Sequence, residues 1–337
     1  MNDRFVTAET LAPYLHGATL ADRALALLLQ QNDAWDLARK GYQALESVKV
    51  KTFLFDGFVV KAQHNPGRLV STSAKVDPQS IRERPCFLCQ KDLPPEQKGI
   101  PYEGGYLILV NPFPIFNEHF TIVHAEHRPQ RIAGSFGTLL DLAADLGSRY
   151  VVLYNGPRSG ASAPDHHHFQ AGDRSFIPID FDYAPVKERT GRTVHVSAGV
   201  SVHAMDGYLR RFVGIESERK EVLIDAFERI YDRWLAWSGD VDEPMMNILV
   251  FLDPNGWRVV LIPRSKHRPS HYDREGEKRI LISPGAVDLG GTCTFPRRED
   301  FDRITRDDIV EIFEEVCLSA ARFNEFTGLV AEALRGL

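Results

Sequence analysis

The chain has 337 residues, 43% hydrophobic and 26% charged, a globular balance that excludes a disordered, collagen-like or fibrous protein. Lys and Arg number 40 against 46 Asp and Glu, a net charge of −6, which argues against a nucleic-acid coat or an anionic-membrane binder. No run reaches the roughly 18 apolar residues of a membrane span, and no basic-then-apolar leader opens the chain, so the expectation is a cytoplasmic protein of one large or two medium domains.

Residues 20–46 place Leu and Ala at helical spacing among strong helix formers and predict a helical N-terminal segment, residues 1–48. Residues 51–60 predict a strand, as do 106–110, 119–124 and 150–154, with a helix over 132–149 between the last two. A less regular stretch covers 171–193. A long amphipathic helix follows at 216–238, then strands at 246–252 and 257–263, a weaker one at 280–283, and helical sequence at 306–335. Residues 119–129 echo 259–269 at an offset of 140, each an apolar strand ending in His-Arg-Pro. The echo points to a duplicated α+β unit, divided here as 49–190 and 191–337.

The segment from Asn155 to Gln170 reads NGPRSGASAPDHHHFQ and begins where a predicted strand ends. Its small polar residues allow close backbone approach to a phosphate. Ser159 and Ser162 add hydroxyls, and Arg158 adds a charge. On an extended chain His166, His168 and Gln170 share one side. A histidine held in one tautomer is a competent nucleophile toward phosphorus, and an amide beside it can steady the charge that develops there. Arg68, in Asn-Pro-Gly-Arg with Lys75 nearby, is within reach of a phosphate in one reading, and a solvated turn is the preferred one.

This segment resembles the active-site motif of the histidine-triad superfamily in its transferase branch, which ends in Gln where the hydrolase branch has a third His. Ser-Gly-Ala-Ser is similar to diadenosine tetraphosphate phosphorylases, His-x-His-Phe-Gln to GDP-hexose phosphorylases, and the His-x-His-x-Gln core to galactose-1-phosphate uridylyltransferases. The resemblance implies an α+β fold of duplicated histidine-triad-like units, with antiparallel sheets flanked by helices and one active centre per chain. It implies that His168 takes up a nucleoside monophosphate from a nucleoside diphosphate sugar or dinucleoside polyphosphate, with Gln170 on the transferred phosphate and His166 beside it. Phosphate or a sugar phosphate is the implied acceptor. The loop Asn155, Arg158, Ser159, Gly160, Ala161 and Ser162 would bind phosphate. Asn111 would bind ribose, with Phe113, Pro114 and Phe116 walling the base. Asp288, Gly290 and Gly291 would lie near the centre. The same resemblance admits a homodimer.

Cys86 and Cys89 form a Cys-x-x-Cys pair in a Pro-flanked turn. This is two thiolates for a tetrahedral ion, or alternatively a pair of free or redox-active thiols. Uridylyltransferases complete such a site with two histidines, which implies His127 and His166 here. Zinc in a structural role is the expectation, with iron as the other candidate. A zinc-stabilised nucleotide-binding protein without activity and a metal-dependent hydrolase are the competing readings.

Overall fold

The protein is described by a computed structural model over residues 4–197 and 199–337. Thr19 and Asp22 form a reciprocal capping box that starts helix α1 (Leu20–Ala34). The single helix expected over 20–46 is broken at Trp35, whose backbone is extended (φ −129°, ψ 106°), before α2 (Asp36–Leu45). The break turns the indole inward, where it is 4% exposed. The expected strand over 51–60 is a hairpin of β1 (Lys49–Phe55) and β2 (Phe58–His64). Its turn is Asp56-Gly57, with Gly57 at φ +77°, the left-handed conformation that a two-residue hairpin loop requires.

Ten strands form one antiparallel sheet. They are β3 (Gly99–Tyr102), β4 (Tyr106–Val110), β5 (His119–His124), β6 (Tyr150–Asn155), β7 (His168–Asp173), β8 (Gly191–Ser197), β9 (Val200–Met205), β10 (Phe212–Ser217), β11 (Met246–Asp253) and β12 (Gly256–Pro263). Their order is β3-β4-β5-β7-β6-β11-β12-β10-β9-β8. Each half lays down three neighbouring strands, crosses by a helix, and returns with two more. The crossing helices are α3 (Phe136–Leu146) and α4 (Lys220–Ser238). The last strand of each half lies beside its third, and β6 meets β11 at the centre. The fold is therefore α+β with a repeated strand order. The equivalent strands are β5 with β10 and β7 with β12. The offset of 140 instead lays β5 on β12, so that sequence echo does not mark the repeat.

Other boundaries also differ from expectation. The first residues of the helix expected from 216 belong to β10, and the hairpin β8–β9 lies where no element was expected. Residues 280–283 are buried but form no ladder. The Leu281 N–H donates to the Asp300 carboxylate at 2.9 Å, and the Ile282 N–H to the Ile280 carbonyl at 3.0 Å. A further strand, β13 (Thr292–Phe295), runs parallel to β2 and completes a three-stranded sheet.

Side chains alternate across the large sheet. Val152 and Tyr154 of β6 enter one core, under α1, α3 and α4, and Val151 and Leu153 enter another. The second core is covered by the three-stranded sheet, the helix Pro178–Thr190 and α5 (Arg306–Val316). A small third cluster, including Cys86, Leu88, Leu107 and Val123, covers the same face nearer the sheet edge. On β7, Phe169 and Ala171 face the first core. His168 and Gln170 therefore emerge on the opposite face, between the second and third clusters. No helix among the described residues is long and apolar enough to cross a membrane.

Glu243 is buried beneath the motif loop. It accepts from the Tyr154 hydroxyl and the Ile132 N–H, each at 2.6 Å. Burial outweighs these bonds and raises its pKa to about 7. The folded state then holds a proton that the unfolded chain releases near its ordinary value of 4.5. Stability is expected to fall as pH rises through that window, by about 3 kcal/mol, and to level off above pH 7. In Glu243→Gln the amide can serve both partners, so thermal denaturation between pH 4.5 and 8 should lose that decline. An unchanged slope would assign it to other groups.

Candidate active site and metal cluster

Sheet pairing sets the site. β7 runs between β5 and β6, with His168 opposite Val123, and Gln170 opposite Thr121 on one side and Leu153 on the other. The His168 N–H donates to Gln130 Oε1 at 2.8 Å, while Gln130 Nε2 donates to the carbonyls of His168 and Asn155 at 2.9 Å each. Gln130 is buried and clamps both ends of the motif loop to the sheet. It lies in an unpatterned turn, and no sequence signal marked it.

The His168 ring is oriented by its own chain. Its Nδ1–H donates to the His166 carbonyl at 2.8 Å, so Nε2 is left as the lone-pair nitrogen available to the adjoining cavity. Burial lowers its pKa to about 4, which keeps the ring neutral at pH 7. Gln170 is oriented in the same manner. His119 Nδ1 accepts from the Ile115 N–H at 3.2 Å, so in the neutral ring Nε2 carries the proton and donates to Gln170 Oε1 at 2.9 Å. Burial holds His119 neutral, with its pKa lowered to about 3. The Gln170 amide N–H groups are thereby directed away from His119, on a side chain that lines the cavity. His119 is thus a positioning residue for Gln170.

The cavity beside His168 measures about 370 Å³. Asn111, Phe113, Ser162, His168 and Gln170 line it as expected. So do Trp35 and Leu37, from the N-terminal segment that the family motif does not reach, together with Phe87, Leu88 and Leu109. Asn111 is locally engaged, accepting from the Phe113 N–H at 2.9 Å and donating to Thr121 Oγ1 at 3.1 Å. Pro114 and Phe116 are not among the lining residues. Phe116 is buried in the second core, its ring against His119.

The motif loop divides between lining and anchoring. Gly160 (φ +92°) approaches the 284–285 backbone so closely that a Cβ would stand 2.7 Å from Gly285 Cα. Asn155 Oδ1 accepts from Asn247 Nδ2 and the Ala286 N–H at 2.7 Å each, and Asn247 Nδ2 also reaches the Ser159 carbonyl. Arg264 Nη1 completes the network, donating to Asn247 Oδ1 at 2.6 Å. Ser159 and Ala161 are buried and line neither this cavity nor the polar one beside it. Arg158 does not reach the site: it pairs with Asp240 and lines a separate cavity with Trp234 and Arg322. Gly290 and Gly291 pack against Ile177 and Pro178, while Asp288 lines the polar cavity.

His166, on the same side as His168, joins a different group. The ligand atoms of Cys86, Cys89, His127 and His166 all lie within 4.8 Å of one another. Cys86 Sγ is 3.3 Å and Cys89 Sγ 3.6 Å from His166 Nδ1, and Cys89 Sγ is 3.2 Å from His127 Nδ1. Tetrahedral zinc with two sulfur and two nitrogen ligands sets such edges at about 3.5 Å. His166 Nε2 donates to the His124 carbonyl at 2.8 Å, which leaves Nδ1 unprotonated toward the sulfurs, as a metal-binding imidazole requires. The four residues fit a metal ion. His124 and His119 are committed elsewhere.

Two family models match the chain: a domain of unknown function (DUF4922) over residues 27–173, and a GDPGP1-like C-terminal domain over 185–336. A galactose-1-phosphate uridylyltransferase of Enterococcus faecalis is 30% identical over 135 residues, 39% of this chain and 25% of the relative. The diadenosine 5',5'''-P1,P4-tetraphosphate phosphorylase 2 of Saccharomyces cerevisiae is 37% identical over 92 residues, 23% of this chain and 28% of the relative. The matches thus span under a third of these curated relatives. The yeast Ap4A phosphorylase Apa2 in complex with AMP superposes with a TM-score of 0.57 at 18% identity, covering 87% of this chain and 96% of that one. In sequence the chain is similar to the transferase branch of the histidine-triad superfamily, and its fold is that of Apa2.

Proposed function

We propose that the chain is a nucleotidyltransferase. It cleaves the phosphoanhydride of a nucleoside diphosphate sugar or dinucleoside polyphosphate through a nucleotidyl-His168 intermediate, and passes the nucleotidyl group to phosphate or a sugar phosphate. The observation that carries this reading is the pairing of a neutral, tautomer-fixed His168 with an oriented Gln170 amide on the wall of one cavity. His168 Nε2 attacks the α-phosphorus, and the distal phosphate leaves with the electron pair of the broken P–O bond. The Gln170 N–H groups and Ser162 hydroxyl steady the equatorial oxygens. The acceptor oxygen then displaces Nε2, which recovers its lone pair. Cys86, Cys89, His127 and His166 would hold zinc or iron. Such an ion would cross-link the 84–97 loop to the start of β7, and four protein ligands leave no position for an activated water. Thiolate ligands suit a reducing, cytoplasmic compartment. The catalytic half is residues 49–190, and 191–337 is a supporting half without the motif.

The test is turnover of a panel of nucleotide sugars and dinucleoside polyphosphates without acceptor, with phosphate and with a hexose 1-phosphate. Acceptor-dependent release of the leaving group is expected from at least one donor. Release that depends on water alone, or no release from any donor, overturns the reading. The nucleoside would lie in the 370 Å³ cavity, against Trp35 and Phe113. Trp35→Ala is therefore expected to weaken nucleoside monophosphate binding about tenfold, and Trp35→Phe by much less, measured by calorimetry.

A further inference from the structure

A second cavity adjoins the first and shares with it Arg68, Ser71, Ser162 and Gln170. Its remaining wall comes from both halves of the chain, with Asn155 and Gly160 from the first and Asp288 and Thr294 from the second. The two cavities differ in size and character. The first is largely apolar at about 370 Å³, and the second is polar at about 50 Å³. A water needs about 10–15 Å³ on this measure, so the second holds about four oxygen-sized groups. That matches a tetrahedral phosphate and is too small for a second nucleoside.

Two side chains there lack the partners that their burial calls for. Thr294 is 6% exposed, and its Oγ1 has no hydrogen-bond partner among the described residues. Arg68 donates Nη1 to the Phe113 carbonyl at 2.8 Å, and among the described residues no carboxylate forms a direct ion pair with it, Asp288 acting on it at longer range. The solvated turn expected at Arg68 is thus a partly buried cation at the junction of both cavities. Asp288 shares this cavity, with its oxygens engaged by backbone donors. Its two oxygens accept the Gly285 and Thr294 N–H groups at 2.9 Å each, and burial raises its pKa to about 6.

Resting on the transferase reading, we infer that this second cavity is the seat of the acceptor's phosphate group, held by Arg68 and Thr294 and joined to the His168 cavity through Ser162 and Gln170. The bound phosphate places an oxygen at the nucleotidyl phosphorus. The new P–O bond forms as the P–Nε2 bond breaks, and the electron pair returns to Nε2. With inorganic phosphate the product is a nucleoside diphosphate, and the proton of the attacking hydrogen phosphate passes to solvent.

The experiment isolates nucleotidyl-enzyme from the full chain and measures its discharge against concentration, with inorganic phosphate and a hexose 1-phosphate as separate arms. Arg68→Gln is expected to raise the half-saturating phosphate concentration at least about 30-fold. Thr294→Val, which keeps the side-chain shape, should raise it about fivefold. Saturable discharge in one arm identifies the ester. Variants that discharge with the wild-type phosphate dependence overturn this assignment while leaving the transfer reading intact. A wild-type chain that takes up no nucleotidyl group overturns the transfer reading, and the acceptor site with it.

Discussion

Incubated with its donor and no acceptor, the chain is expected to gain the mass of one nucleoside monophosphate, and His168→Ala is expected to gain none. The argument starts from the ring's surroundings. Nδ1 is tied to the His166 carbonyl, and burial removes the competing protonated form. The neutral lone pair at Nε2 is thus present throughout the physiological pH range, without a separate base to expose it. Removing the nucleophile should lower turnover at least about 10⁴-fold, leaving only what binding and electrostatics supply. Gln170→Ala removes a charge-stabilising amide and not the bond-forming atom. It should cost about 10²–10³-fold while still forming the adduct. Intact-protein mass spectrometry separates the two. A His168→Ala protein that still acquires the mass would move the nucleophile to another residue.

The second large effect concerns the metal cluster. Purified protein is expected to carry about one zinc or iron per chain by elemental analysis, and Cys86→Ser and Cys89→Ser to lose most of it. In the structure the 84–97 loop is secured by the small cluster around Leu88 and Leu93, the Arg84–Asp165 ion pair and the four ligands. A ligand bound a thousandfold above its dissociation constant stabilises by about 4 kcal/mol, so chelation should lower the melting temperature by on the order of 10 °C. Activity should fall with it, because the loop also supplies Phe87 and Leu88 to the cavity beside His168. A metal-free chain that melts and turns over as before would leave Cys86 and Cys89 as plain thiols.

Much of this was legible in the residues. His-x-His-x-Gln declared its alternation, and the structure places His168 and Gln170 on one cavity wall. The Cys-x-x-Cys pair needed two further ligands, and His127 and His166 stand beside it. What escaped was set by tertiary contact. Trp35 sits in a sequence of strong helix formers, and only its burial reveals why the helix stops there. Arg158 is the obvious charge in the motif loop, yet Asp240, 82 residues away, takes it. Arg68 could be read as a phosphate contact or a solvated turn, and its local sequence does not decide between them, because the second cavity that it borders is assembled from both halves. Gln130 hydrogen-bonds to backbone, and Asn247 to Asn155, Arg264 and the Ser159 carbonyl, partners far apart in the chain that leave no pattern in a sequence.

The junction of β6 with β11 has a bearing on how such a chain can change over time. β6 is buried along its whole length, and its outer side is paired only because β11 lies there, with Asn247 opposite Asn155. Severed from its partner half, β6 would present an open, apolar row of backbone donors and acceptors, the kind of edge that recruits foreign strands. The half without the motif therefore does more than supply Thr294 to the second cavity. It guards that edge, and through Asn247 and Arg264 it holds the motif loop in shape. A substitution at Asn247 or Arg264 would therefore be felt at the motif loop, across the seam from the half that carries it.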